Sequence, residues 1–146
     1  SIGEEARYRK KDILLGPGIN ICRTPLNGRN FEYMGEDPYL AGQMVVPYVK
    51  GVQENGVAAC VKHYAVNNQE FQRTQSNSVV DDRTLYEIYL PAFKAAVQEG
   101  NAWAIMGSYN LYGSLSNLRL SMKAFSCSLI SFQLYMSRLY FVWCRS

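Results

Sequence analysis

At 146 residues, 48% of them hydrophobic, the chain has enough apolar material for the core of one domain. Its formal charge of +3 is unevenly placed: residues 1–113 carry 11 Lys/Arg against 12 Asp/Glu, net −1, while residues 114–146 carry 4 Lys/Arg and no acid. The body therefore has no basic patch interleaved with aromatics, and nucleic acid is excluded as an expected partner.

A polar, helix-favouring opening, Ser1 to Asp12, leads into Ile13–Ile21, an apolar run with glycines that reads as a buried strand. A loop rich in Asn, Gly and Pro follows from Cys22 to Pro38. Over residues 39–54, Leu40, Met44, Tyr48 and Val52 recur every four positions, which predicts a helix stopped near Gly56. Pro47 should kink or divide it. Val57–Val61 is too short for a helix and reads as a second buried strand, bounded by the charged pair Lys62 and His63. A polar loop runs from Tyr64 to Val80. Asp81 or Asp82 then caps a helix whose apolar positions Leu85, Ile88, Tyr89, Ala92, Phe93, Ala96 and Val97 keep helical rhythm, with Pro91 disturbing its middle. Gly100 ends it, and Ala102–Met106 is the third buried strand.

Strands alternating with helices predict an α/β fold built from βαβ units with parallel strands. Repeats of roughly 40 residues suit part of a (β/α)8 TIM-type barrel, incomplete at both ends. A doubly wound open sheet is the alternative, though the glycine-rich phosphate loop that often joins its first strand and helix is missing from the sequence.

The four cysteines, Cys22, Cys60, Cys127 and Cys144, form no C-x-x-C pair and have no His at metal-ligand spacing, so they read as single thiols. The chain opens without a charged, then apolar, then small-residue leader, and any targeting signal of a parent protein is expected outside it. At Ser114 the composition changes. All 11 glycines and all 5 prolines precede it, and the residues that follow include eight Ser and six Leu. Domains need turns, so residues 114–146 are expected to be a divergent tail, the product of a shifted frame, a misjoined exon or a truncated gene model. The uncharged stretch between Lys123 and Arg138 falls short of the ~20 residues that cross a bilayer, so no membrane association is expected.

In a parallel barrel the functional groups lie at the carboxyl ends of strands. That rule nominates Gly28-Arg29-Asn30-Phe31-Glu32 with Gly35-Glu36-Asp37-Pro38; Lys62-His63 with Asn67, Gln69 and Glu70; and Ser108-Tyr109-Asn110. Each cluster has a plain structural reading. Arg29 could pair with Glu32 or Asp37, Lys62 and His63 could form a solvated strand end, and Tyr109 could be a rim aromatic. Convergence on one mouth favours a binding role, because a ring of sugar hydroxyls calls for charged donors, and Arg, Lys and His supply them.

The runs GPGINICRTPLNGRNFEYMGEDPYL, NGVAACVKHYAVNNQEFQR and DDRTLYEIYLPAFKAAVQEG followed by AIMGSYN resemble, in order, consecutive segments of the catalytic barrel of family 3 glycoside hydrolases. The resemblance covers residues 1–113. It implies that Arg29, Lys62 and His63 bind the terminal sugar, with Tyr109 near the nucleophile and Met106 close by. It implies a parent enzyme that hydrolyses O-glycosyl bonds, a retaining exo-acting β-glycosidase of the β-glucosidase type that releases terminal β-D-glucosyl or xylosyl residues. A small saccharide is the implied partner, with no metal or organic cofactor. Such cleavage needs two carboxyl groups. The family's nucleophile Asp and acid/base Glu have no counterpart here, and Glu32, Glu36, Asp37, Glu70, Asp81 and Asp82 match neither, so no catalytic residue is assigned. The chain alone is expected to be inactive; the alternative is a non-catalytic carbohydrate-binding fragment.

Overall fold

A computed structural model describes residues 1–112, together with the backbone of two short strands at 115–116 and 140–142. The divergent tail expected at 114–146 otherwise lies outside the described residues, as do Cys127 and Cys144. Cys22 and Cys60 are both thiols, as their spacing predicts.

Helix α1 (Ile2–Tyr8) opens on a capping box between Ser1 and Glu4. It is followed by β1 (Ile13–Leu14), α2 (Pro38–Gln53), β2 (Ala58–Tyr64), β3 (Asn77–Ser78), α3 (Asp82–Thr84), α4 (Leu90–Gln98), β4 (Ala104–Gly107), β5 (Leu111–Tyr112), β6 (Leu115–Ser116) and β7 (Tyr140–Val142). The main sheet has the order β1-β2-β4-β7, with every adjacent pair parallel. Helix α2 joins β1 to β2 and α4 joins β2 to β4, and the two helices pack against each other. This is the predicted parallel α/β arrangement. A second small sheet, β3-β5-β6, was not predicted: β3 lies within the expected Tyr64–Val80 loop and β6 within the expected tail, and two-residue strands carry no alternation to read.

Several boundaries differ from the sequence reading. Only Ile13 and Leu14 of the predicted Ile13–Ile21 strand form a regular ladder, at Ala58 and Ala59. The pairing resumes beyond Pro17, where Lys62 donates to the Pro17 carbonyl (3.0 Å) and Ile19 to that of Lys62 (2.7 Å). Proline has no N–H to offer a ladder, which explains the interruption. Strand β2 runs through Lys62 and His63 to Tyr64 rather than stopping at Val61. Pro47 sits within α2 without dividing it, and Gly56, at φ +70°, follows the helix end as a stop. The buried stripe of α2 is Ala41, Val45, Val49 and Val52, one step round from the predicted one, so Leu40 and Met44 are exposed. Pro91 does break its helix. Upstream of it a π-helical turn spans Leu85–Tyr89, where the Leu90 N–H reaches back to the Leu85 carbonyl. The proline ring clashes with the carbonyl four residues earlier, and the widened turn relieves that clash.

The core between sheet and helices gathers Ile19, Val45, Val49, Val61, Phe93 and Ile105, each at most 3% exposed. Phe93 packs edge-on against Tyr64 at 5.0 Å and 88°. On the other face of the sheet Cys60, Ala104 and Met106 form a separate buried cluster.

Candidate functional site

Glycine makes the site's first contact possible. Gly18 bridges in parallel to both Lys62 and Tyr33, and a Cβ there would fall 2.9 Å from the Glu32 carbonyl oxygen and from the Tyr33 ring. The segment after β1 can therefore lie directly under the short 3-10 turn Asn30–Glu32, which sets Glu32 beside the end of β2.

Glu32 is the centre of the cluster. Its Oε1 accepts from Arg29 Nη1 at 2.5 Å and its Oε2 from Lys62 Nζ at 2.7 Å. Arg29 Nε also donates to Glu70 Oε1 at 2.6 Å, and Glu70 Oε2 accepts from Arg73 at 2.8 Å. The Arg73 guanidinium lies 5.0 Å over the Tyr109 ring. Five charges thus alternate in sign from Lys62 to Arg73, ending on the aromatic ring. The side chains of Lys62, Glu32 and Arg29 are 15–22% exposed, shielded but not sealed.

Burial pushes both carboxyls up, yet the donors outweigh it. Lys62 and Arg29 hold Glu32 below the ordinary carboxylate range, and Arg29 and Arg73 do the same for Glu70. Both stay anionic at neutral pH. Three cations against two anions leave one positive charge. Among the described residues Arg29 keeps about three of its five N–H groups, and Lys62 about two of its three, for a ligand.

His63 is 6% exposed. Its Nδ1 lies 3.2 Å from the Tyr33 hydroxyl. Burial first, then the charges of Arg29 and Lys62, push its pKa down to about 4. The unfolded chain, where a His titrates near 6.5, binds the proton first as pH falls. The stability that the neutral ring contributes is complete above about pH 6.5 and is lost between there and about pH 4. The unfolding free energy from urea titrations should drop across that window at up to about 1.4 kcal/mol per pH unit, and His63→Gln should flatten the slope.

The structure brings Arg29, Lys62 and His63 to one place, through Glu32 and its neighbour Tyr33. Tyr109 joins through Arg73 and Glu70. Met106 lies on the sheet face of Cys60, the face that strand alternation also gives to Lys62. Of the two partners open to Arg29, Glu32 is used. Asp37 instead caps α2, accepting from Tyr39 N–H at 2.8 Å, and Glu70 takes the second place. Lys62 and His63 are not a solvated strand end. Ser108 and Asn110 brace the chain leaving β2, donating to the carbonyls of Ala65 and Val66. The sequence reading missed Arg73, Tyr33 and Asn20. Asn20 and Tyr33 make contacts that span 13 to 46 residues, which no local pattern signals; the one local signal for Arg73 was its i,i+3 spacing from Glu70.

Fold and site together define a parallel α/β domain that carries a shielded array of charged donors where its strands leave the sheet. The chain belongs to glycosyl hydrolase family 3: the model of that family's N terminal domain matches residues 1–126. It is 74% identical over 110 residues to Beta-glucosidase BoGH3A of Bacteroides ovatus, which covers 75% of this chain and 15% of that protein. Thermostable beta-glucosidase B of Acetivibrio thermocellus is 51% identical over the same length, with the same shares covered. Among solved structures, beta-glucosidase 3B from Thermotoga neapolitana in complex with glucose superposes at a TM-score of 0.85 and 39% identity, covering 97% of this chain and 19% of that one. The chain thus spans about 15% of the length of these curated relatives.

Proposed function

We propose that this chain is the sugar-holding part of a retaining exo-β-glycosidase of the β-glucosidase type, and that its sheet is a segment of a (β/α)8 barrel. Arg29, Lys62 and His63 receive the terminal β-D-glucosyl or xylosyl residue, with Tyr109 and Met106 beside it. The observation that carries the reading is Glu32, which holds Arg29 and Lys62 together at one mouth while most of their hydrogens stay available. The likeness to β-glucosidases, one solved with glucose, supports it.

A second reading, that the chain on its own binds sugar without cleaving it, is favoured by the state of the carboxylates. Glu32 and Glu70 are each engaged by two cations and held ionised, so neither can serve as a general acid. Asp37 and Asp81 are taken up as helix caps.

Both readings meet in one experiment on the purified chain, using glucose titration and an aryl β-glucoside. Saturable glucose binding is expected, weakened about 10- to 100-fold by Arg29→Ala through loss of charge-assisted hydrogen bonds. No turnover is expected. Binding indifferent to Arg29→Ala would refute the sugar site, and turnover that disappears on replacing an internal carboxylate would refute the division of labour.

A further inference from the structure

We propose that Tyr33 is a positioning residue that locks His63 in the Nδ1–H tautomer, so that Nε2 meets a sugar hydroxyl as an acceptor. The inference rests on the sugar-site reading above and adds to it the direction of one hydrogen bond.

Asn20 is 1% exposed. Its Oδ1 accepts from the Val66 N–H at 3.2 Å, so its amide nitrogen must face the other way. From there Nδ2 donates to the His63 carbonyl at 2.8 Å and to the Tyr33 hydroxyl oxygen at 3.3 Å. Tyr33 has one hydrogen left to place and two neighbours to receive it, the Asn67 carbonyl at 3.1 Å and His63 Nδ1 at 3.2 Å. A carbonyl can only accept, whereas an imidazole nitrogen can do either. If the hydroxyl donates to Asn67, then Nδ1–H donates back to the second lone pair of Tyr33 and three bonds form around the oxygen. If it donates to Nδ1, the buried Asn67 carbonyl loses this donor and only two form. A network shielded from water favours the arrangement that satisfies every member.

The first arrangement leaves Nε2 with a lone pair, and among the described residues it has no partner. Lys62 and Arg29 offer only hydrogens. The site then combines charged donors with one neutral acceptor, which is what a hydroxyl needs if it is to accept and donate at once. An ether or fluorine at that position could accept from the cations but could not donate to His63.

His63 is the single histidine in the chain, so long-range 1H–15N correlation spectra of the full 146 residues read its two ring nitrogens without assignment. At pH 7 the wild-type ring is expected to carry its proton on Nδ1. Tyr33→Phe, which keeps the ring and removes the acceptor, is expected to move the proton to Nε2 and to weaken glucose binding about tenfold. A wild-type ring protonated on Nε2 overturns the proposal, as does a folded Tyr33→Phe chain with the wild-type tautomer. The tautomer is read without sugar. A chain that shows Nδ1–H yet binds no glucose upholds the hydrogen-bond assignment and sinks the sugar-site reading instead. If Tyr33→Phe does not fold, the wild-type spectrum still decides.

Discussion

Glu32→Ala is expected to lower stability by roughly 3 kcal/mol and glucose affinity about 100-fold, because removing one partner of a shielded ion pair strands the other. Here it leaves Lys62 without its carboxylate and Arg29 with Glu70 alone, two cations in a partly closed site. Glu32→Gln should recover little. Its amide can present one oxygen to Arg29, but the other end then turns an NH2 toward the Lys62 ammonium, donor against donor. Acid should mimic the change. Because the folded chain holds the Glu32 pKa below 4.5, the carboxylate's contribution is present above that value and vanishes as pH falls through the folded pKa. Denaturation midpoints should therefore separate wild type from Glu32→Ala widely at pH 7 and much less once the pH lies below the folded pKa. Equal separation at both would show that the charge on Glu32 is not what matters.

Phe93→Ala should cost about 3–5 kcal/mol, the range for deleting a fully buried aromatic side chain. Phe93 is 3% exposed and holds Tyr64 edge to face. Tyr64 directly follows His63, so the cavity opens beneath the strand that carries the site. Thermal unfolding should come roughly 10–20 °C lower, as expected for a loss of this size in a domain of ~100–150 residues. The sugar affinity of the fraction still folded should fall much less than in Glu32→Ala. A shift under about 1 kcal/mol would mean the core closes over the gap.

How far the sequence carried depends on the range of the interaction. Apolar runs punctuated by Gly and Pro located three of the four strands of the main sheet and both long helices, since burial and chain reversal leave short-range signatures. The face of α2 was misjudged at Leu40 and Met44, which are the larger residues, while the smaller Ala41, Val45 and Val49 are what the sheet and α4 leave room for; Val52 is buried as predicted. Arg29, Lys62 and His63 were legible as chemistry placed at strand ends. Their assembly was not. The Glu70 carboxylate meets Arg29 across 41 residues, and Asn20 reaches Val66 across 46, distances over which only the folded sheet sets geometry.

The members of the alternating chain from Lys62 to Arg73 are energetically coupled. Each carboxylate is shared by two cations, so no link can be cut in isolation. Once Glu32 is gone, Arg29 can swing wholly onto Glu70, and once Glu70 is gone it can commit to Glu32. Paired substitutions should then cost less, or more, than the sum of the single ones, with coupling of about 0.5–3 kcal/mol of either sign. The mouth behaves as one collective unit, whose parts have no separable worth.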